Sequence, residues 1–249
     1  MALPARLDDS APPYGTLVFD CDSTLSSIEG IDELAGPRKP EIAALTERAM
    51  SGEVPLEAVY GKRLELLRPS RSAVEALGAH YVATALPHAV ELVHALRSLG
   101  KRVCILSGGL RQAVFALADH LGVEAGDVYA VDIFHARDGS YAGYDDESPL
   151  ARAGGKLEVL RSIARVERRG GLALIGDGAT DLEAAPSARR FVAFGGVVRR
   201  KDVFARAVVT CDAPDLAALL PLLVATDELE VLAQDKRHHP LLVAARVAR

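Results

Sequence analysis

Five short apolar runs, Thr16 to Phe19, Arg102 to Leu106, Leu172 to Ile175, Phe191 to Phe194 and Ala207 to Val209, recur along the chain, each followed by a Gly, Ser or Asp turn and a helical pattern. Hydrophobicity that is near-continuous instead of alternating means that both faces of such a strand are covered. Strands that alternate with helices in this way build a doubly wound parallel sheet, a Rossmann-like α/β core. Ligands of that architecture sit beyond the carboxyl ends of the strands. There the sequence offers Asp20, Ser107 and Asp177.

The interval Ile31 to Ala85 breaks the rhythm. It holds no strand-like run but has helical periodicity in Glu41 to Met50, Leu56 to Leu67 and Ser72 to Leu77, punctuated by Pro37, Pro40, Pro55 and Pro69. It leaves just after the first strand and returns before the helix Pro87 to Leu99, so it is placed to cover the site. Tyr129 to Tyr144, with Asp138-Gly139 between two β-prone segments, reads as a small β-hairpin. The expected division is therefore a flexible tail over 1–13, a core over 14–30 and 86–223, an inserted α-helical cap over 31–85, and a helical C-terminal extension over 224–249.

The chain has 249 residues, 49% of them apolar, enough for one large domain or a domain with an insertion. A net charge of -5 with no basic tract argues against a nucleic-acid partner. No stretch approaches a membrane span, and the first residues carry no secretory pattern. Cys21, Cys104 and Cys211 show no metal-ligand spacing. A reducing, cytoplasmic setting is expected.

Four clusters carry the chemistry. Asp20-Cys21-Asp22-Ser23-Thr24 puts two carboxylates on one side of an extended backbone, one placed to attack phosphorus and the other to handle a proton. Read alone, the same residues equally make a turn whose Ser or Thr caps a helix. Ser107-Gly108-Gly109 allows backbone amides to approach a phosphate closely. Lys156, after Gly154-Gly155, starts a helix, where a cation opposes the macrodipole unless an anion sits there; a solvated lysine is the plainer reading. Gly176-Asp177-Gly178-Ala179-Thr180-Asp181 fails as a dinucleotide fingerprint, whereas its carboxylates suit a hard cation. No Gly-x-x-x-x-Gly-Lys-Ser/Thr loop occurs, and Cys104 with Arg111 has the wrong spacing for a cysteine phosphatase.

In this order the four motifs resemble those of the haloacid dehalogenase-like phosphatases with a helical cap. The likeness runs from about Gly15 to Leu223 and includes Glu29 to Ala35, Met50 to Leu67, Tyr141 to Asp145 and Phe194 to Gly196. The Glu29, Met50-to-Arg63 and Tyr141-to-Asp145 stretches are similar to those of members acting on O-phospho-L-serine, at the last step of serine biosynthesis. The resemblance implies that Asp20 is the nucleophile, forming an aspartyl-phosphate, and that Asp22 is first acid and then base. It implies Mg²⁺ held by Asp20, the backbone carbonyl of Asp22, and Asp177, with Asp181 supporting a bound water. Ser107, Gly108, Gly109 and Lys156 would hold the phosphate, with Thr180 a further contact. Glu29 suits the substrate ammonium, Arg63 the carboxylate, and Met50 would line the pocket.

Leu110 stands where many relatives have phenylalanine, and Ser51 where glycine is common. The expected partner is a small phosphomonoester, with no nucleic acid and no membrane; a homodimer stays open. The alternatives are a phosphatase or phosphotransferase for another small metabolite and, in a different class, a signalling module whose aspartate is phosphorylated without turnover.

Overall fold

The computed structural model describes residues 12–38, 40–42, 44–45, 56–167 and 170–247. Met50, Ser51 and most of the expected tail lie outside them. Six parallel strands form one sheet in the order β3-β2-β1-β6-β7-β8. They are β1 Thr16–Phe19, β2 Arg102–Leu110, β3 Val128–Val131, β6 Leu172–Gly176, β7 Arg190–Phe194 and β8 Val209–Cys211. β1 and β6 are buried at every position, as strands covered on both faces must be. After β1 the chain builds outward through β2 and β3, then returns to lay β6 along the other side of β1. β1 and β6 thus flank the switch point at which doubly wound sheets bind ligands.

The segment between β1 and β2 is helical wherever it has regular structure among the described residues. It includes Gly30–Glu33, Leu56–Leu67 and Arg71–Ala83. Ser70 caps the last of these by accepting from the Ala73 amide at 3.2 Å. That helix packs on the core helix Arg111–Leu121, with Gly78 allowing close approach to Ala116.

Three boundaries differ from the sequence reading. Val128–Val131 pairs with β2 in the main sheet, so the two-stranded hairpin is only β4 Ile133–His135 with β5 Tyr141–Tyr144. β2 does not stop at Leu106: it runs through Ser107-Gly108-Gly109 to Leu110 with a shift of register, and Arg111 starts the helix. The last strand is Val209–Cys211 instead of Ala207 to Val209. Beyond residue 224 the helices Thr226–Ala233 and His239–Val247 bury Leu232 and Leu241 against the rest. Lys101 ties them to the core through Glu228, at 2.5 Å, and the Tyr14 carbonyl, at 2.9 Å. No helix among the described residues is long and apolar enough to cross a membrane.

Candidate active site

Phe19 at the end of β1 stands opposite Ile105 of β2 and Ile175 of β6. Register alone therefore brings Asp20, Ser107 and Asp177 out together at one end of the sheet. Asp20 continues the pairing, its amide donating to the Ile175 carbonyl at 2.9 Å. Its carboxylate is held at both oxygens: Oδ1 accepts from the Cys21 amide at 2.8 Å, and Oδ2 lies 2.8 Å from Lys156 Nζ.

Lys156 is no surface lysine. It is buried in the first turn of the helix Gly155–Val166, and its Nζ is also 2.8 Å from Asp181 Oδ1. The two carboxylates are the anions that this helix start called for. Glycines make the approach possible. A Cβ at 155 would come within 1.7 Å of the Pro149 carbonyl oxygen, and one at 176 within 2.3 Å of Asp181 Cγ. The Gly178 amide donates to Asp181 Oδ2 at 3.0 Å.

Burial, then the charge of Asp181, push the Asp20 carboxyl well above its usual range, with Lys156 opposing. Burial also works against the charge on Lys156, yet Asp181 and Asp20 outweigh it and hold the ammonium strongly protonated. Asp177 is pushed up to about 6 by burial, against the pull of Arg200. Asp22 is likewise raised to about 6 by burial and then by Glu29. Carboxylate oxygens of Asp20, Asp177 and Asp181, all buried, lie within 4.8 Å of one another. Hard oxygen donors crowded against their own repulsion fit a divalent cation of the Mg²⁺ type.

One pocket collects Asp20, Asp22, Glu29, Arg63, Gly108, Lys156, Asp177 and Thr180. Ser107, Gly109 and Asp181 are buried behind its wall. The Gly109 amide donates to Ser107 Oγ at 2.9 Å, so that hydroxyl braces the loop from inside. Met50 lies outside the described residues. Asp22 Oδ1 accepts from the Gly30 amide at 2.8 Å, and its carboxylate is not part of the cluster formed by Asp20, Asp177 and Asp181. Arg63 bonds Asp32, and its Nε is buried with no hydrogen-bond partner among the described residues. Glu29 Oε1 accepts from Ser23 Oγ at 2.8 Å and from Arg200 at 3.2 Å. Leu110 is fully buried, as a residue that only packs would be.

Tyr60, Leu150, Arg152 and Arg200 line the pocket and escaped the sequence reading; Arg200 and Tyr60 bond to groups of the site. Arg200 bonds Asp177 Oδ2 at 2.8 Å as well as Glu29, joining the acid at the end of β6 to the one that precedes the helix Gly30–Glu33. It follows Phe194-Gly195-Gly196, the only local signal that could have drawn notice. Tyr60, from the helix Leu56–Leu67, donates to the Gly108 carbonyl at 2.9 Å.

Residues 14–189 match the haloacid dehalogenase-like hydrolase family. Human phosphoserine phosphatase is 40% identical over 187 residues, which are 74% of this chain and 83% of the human one. A substrate-bound phosphoserine phosphatase structure superposes with a TM-score of 0.70 at 26% identity, over 85% of this chain and 99% of the other. A phosphoserine phosphatase in the form of a phospho-aspartyl intermediate analogue gives 0.69 at 26% identity, over 85% and 100%. The chain belongs to the haloacid dehalogenase-like hydrolases, in the branch that contains the phosphoserine phosphatases.

Proposed function

We propose that this protein hydrolyses O-phospho-L-serine to L-serine and inorganic phosphate through an aspartyl-phosphate on Asp20. The observation that carries the reading is the buried set Asp20, Asp177, Asp181 and Lys156 at the switch point, opening into a pocket whose other wall bears Arg63. Asp20 attacks phosphorus; the serine oxygen leaves with a proton from Asp22, which then takes a proton from the attacking water as phosphate is released. A bound Mg²⁺, held by Asp20, Asp177 and the Asp22 carbonyl with support from Asp181, would orient the phosphate and offset charge that otherwise repels a carboxylate nucleophile. Lys156 stabilises the charge of the transferring group from the other side. Gly108 and, behind it, Ser107 and Gly109 shape the loop against the phosphate, with Thr180 across the pocket.

The guanidinium of Arg63, on the pocket wall, supports a substrate carboxylate. Glu29, half-exposed at the rim, is set for the ammonium, and the helical segment covers the pocket as a cap. Three unpaired, buried cysteines accord with a reducing compartment such as the cytoplasm.

The test is phosphate release from a panel of esters with Mg²⁺. Phosphoserine should exceed phosphoethanolamine, which lacks the carboxylate, and 3-phosphoglycerate, which has a hydroxyl for the ammonium. Preference for either analogue removes the roles of Arg63 and Glu29. A stable acyl-phosphate with no repeated phosphate release would instead make the chain a signalling module.

A further inference from the structure

We propose that Tyr81 is a positioning residue that aims Asp22 at the leaving-group oxygen, an inference that rests on the phosphatase reading above. The Tyr81 hydroxyl donates to Asp22 Oδ1 at 2.5 Å, and the Gly30 amide donates to the same oxygen at 2.8 Å. Two donors on one carboxylate oxygen fix the rotation of the side chain. Because Asp22 lines the pocket, Oδ2 is the oxygen left for substrate or water. A bond of this length from a hydroxyl to a carboxylate is of the short, charge-assisted kind.

The surroundings hold the donor in place. Tyr81 is fully buried, near the end of the helix Arg71–Ala83 that packs on Arg111–Leu121. Its hydroxyl occupies space that no other residue at 30 would leave, since a Cβ there would stand 1.9 Å from Tyr81 Oη. At 109 a Cβ would stand 3.3 Å from the same atom. Gly30 therefore serves twice, giving its amide to Asp22 and room to the phenol. Phenylalanine would fill the ring's volume equally well, so the part of this side chain that packing does not account for is its hydroxyl. Its partner lies 59 positions away in the sequence, so a helix of the inserted segment holds the acid of the core.

The test compares two esters in Tyr81→Phe. Phosphoserine expels an alkoxide that needs a proton as it leaves; p-nitrophenyl phosphate expels a stable phenolate that does not. Both are read as kcat/KM, which reports on steps up to loss of the leaving group. Phosphoserine should lose about 10- to 100-fold, the scale of a misplaced acid, and the aryl ester less than about 3-fold. Tyr81→Leu, also without the hydroxyl, should give the same contrast, and the unfolding midpoint of Tyr81→Phe should stay near wild type.

Equal losses on both esters, or no loss on either, would overturn the proposal. If the wild type instead prefers an alkyl phosphate lacking the ammonium or the carboxylate, the substrate reading falls. The alkyl-to-aryl comparison on that ester still decides the role of Tyr81. A wild type inert to every ester sinks both.

Discussion

The end of the sheet and the helical segment over it hold their functional groups in opposite ways. At the sheet, Asp20, Asp177, Asp181 and Lys156 are short or tightly bracketed, buried, and fixed by strand register and close glycine packing. The helical segment reaches the pocket, or the acid that lines it, through long side chains that end in a polar contact with a distant partner: Tyr60 on Gly108, Arg63 on Asp32, Tyr81 on Asp22. The sheet end is thus built to make the chemistry inevitable once phosphate arrives. On the proposed reading, the overlying side chains choose the substrate and aim the acid. Disabling the first should abolish reaction for every ester; disabling the second should change which esters react.

The largest effect belongs to Asp20→Asn. It should lower phosphate release from phosphoserine and p-nitrophenyl phosphate alike by more than about 10³-fold, with a circular dichroism spectrum like that of wild type. A loss confined to phosphoserine would erase the contrast between the two regions. Lys156→Ala should follow, and it costs stability as well as rate. Its removal leaves Asp20 and Asp181 buried without their cation, a loss of about 3–5 kcal/mol in urea unfolding at pH 8. The loss should shrink toward pH 5, as the raised Asp20 carboxyl takes up a proton.

The raised carboxyls give the metal-free protein a signed pH dependence. Asp22 and Asp177 are at about 6 when folded, against about 3.9 in an unfolded chain. Between those values the folded state keeps protons that the unfolded state has released, so these groups lose stability for the fold as pH rises from about 4 to 6. Of the two, Asp177 belongs to the acidic cluster, and a cation needs it ionised. The rise in thermal midpoint on adding Mg²⁺ to protein stripped with EDTA should therefore be larger at pH 7.5 than at pH 5, and Asp177→Asn should abolish most of it. Equal shifts at both pH values would detach the Asp177 carboxylate from the cation.

Arg63→Ala tests the other region. KM for phosphoserine should rise roughly 10- to 100-fold, the scale of a lost charge-assisted pair, while p-nitrophenyl phosphate changes by less than about 3-fold.

That same division explains what could be read from the amino acids beforehand. β1, β6 and β7 declare themselves because strands covered on both faces are apolar nearly without a break, and an acid follows at the ends of β1 and β6. β3 reads as part of the hairpin because only Asp132 separates Val131 from Ile133, and β-prone residues do not announce whether their partner is a neighbour or a distant strand. β2 outran its apolar stretch because Ser107-Gly108-Gly109 stays extended through the register shift. Tyr60 and Tyr81 occupy apolar positions of helices and read as core. Their hydroxyls find partners 48 and 59 residues away, a relation that no local pattern carries. Arg200 is hidden for the same reason, since the acids it joins lie far off in the sequence, one at the end of β6 and one before the helix Gly30–Glu33.

Tyr60→Phe should give the smallest effect and the finest cut between the regions. The ring stays, packed 5.4 Å from the ring of Tyr144, and only the hydroxyl's bond to the Gly108 carbonyl is lost. A single neutral hydrogen bond contributes about 1 kcal/mol, or roughly fivefold in an equilibrium. That bond ties the helix Leu56–Leu67 to the strand end without touching the reacting groups, so its loss should loosen closure while leaving the acids and Lys156 where they are. KM for phosphoserine should rise by up to about fivefold, kcat should stay within about twofold, and amides of Leu56–Leu67 should exchange faster with solvent. A fall in kcat with unchanged KM would mean that Gly108 needs Tyr60 for the chemistry itself, and the boundary between choosing and reacting would then run through the phosphate loop instead of above it.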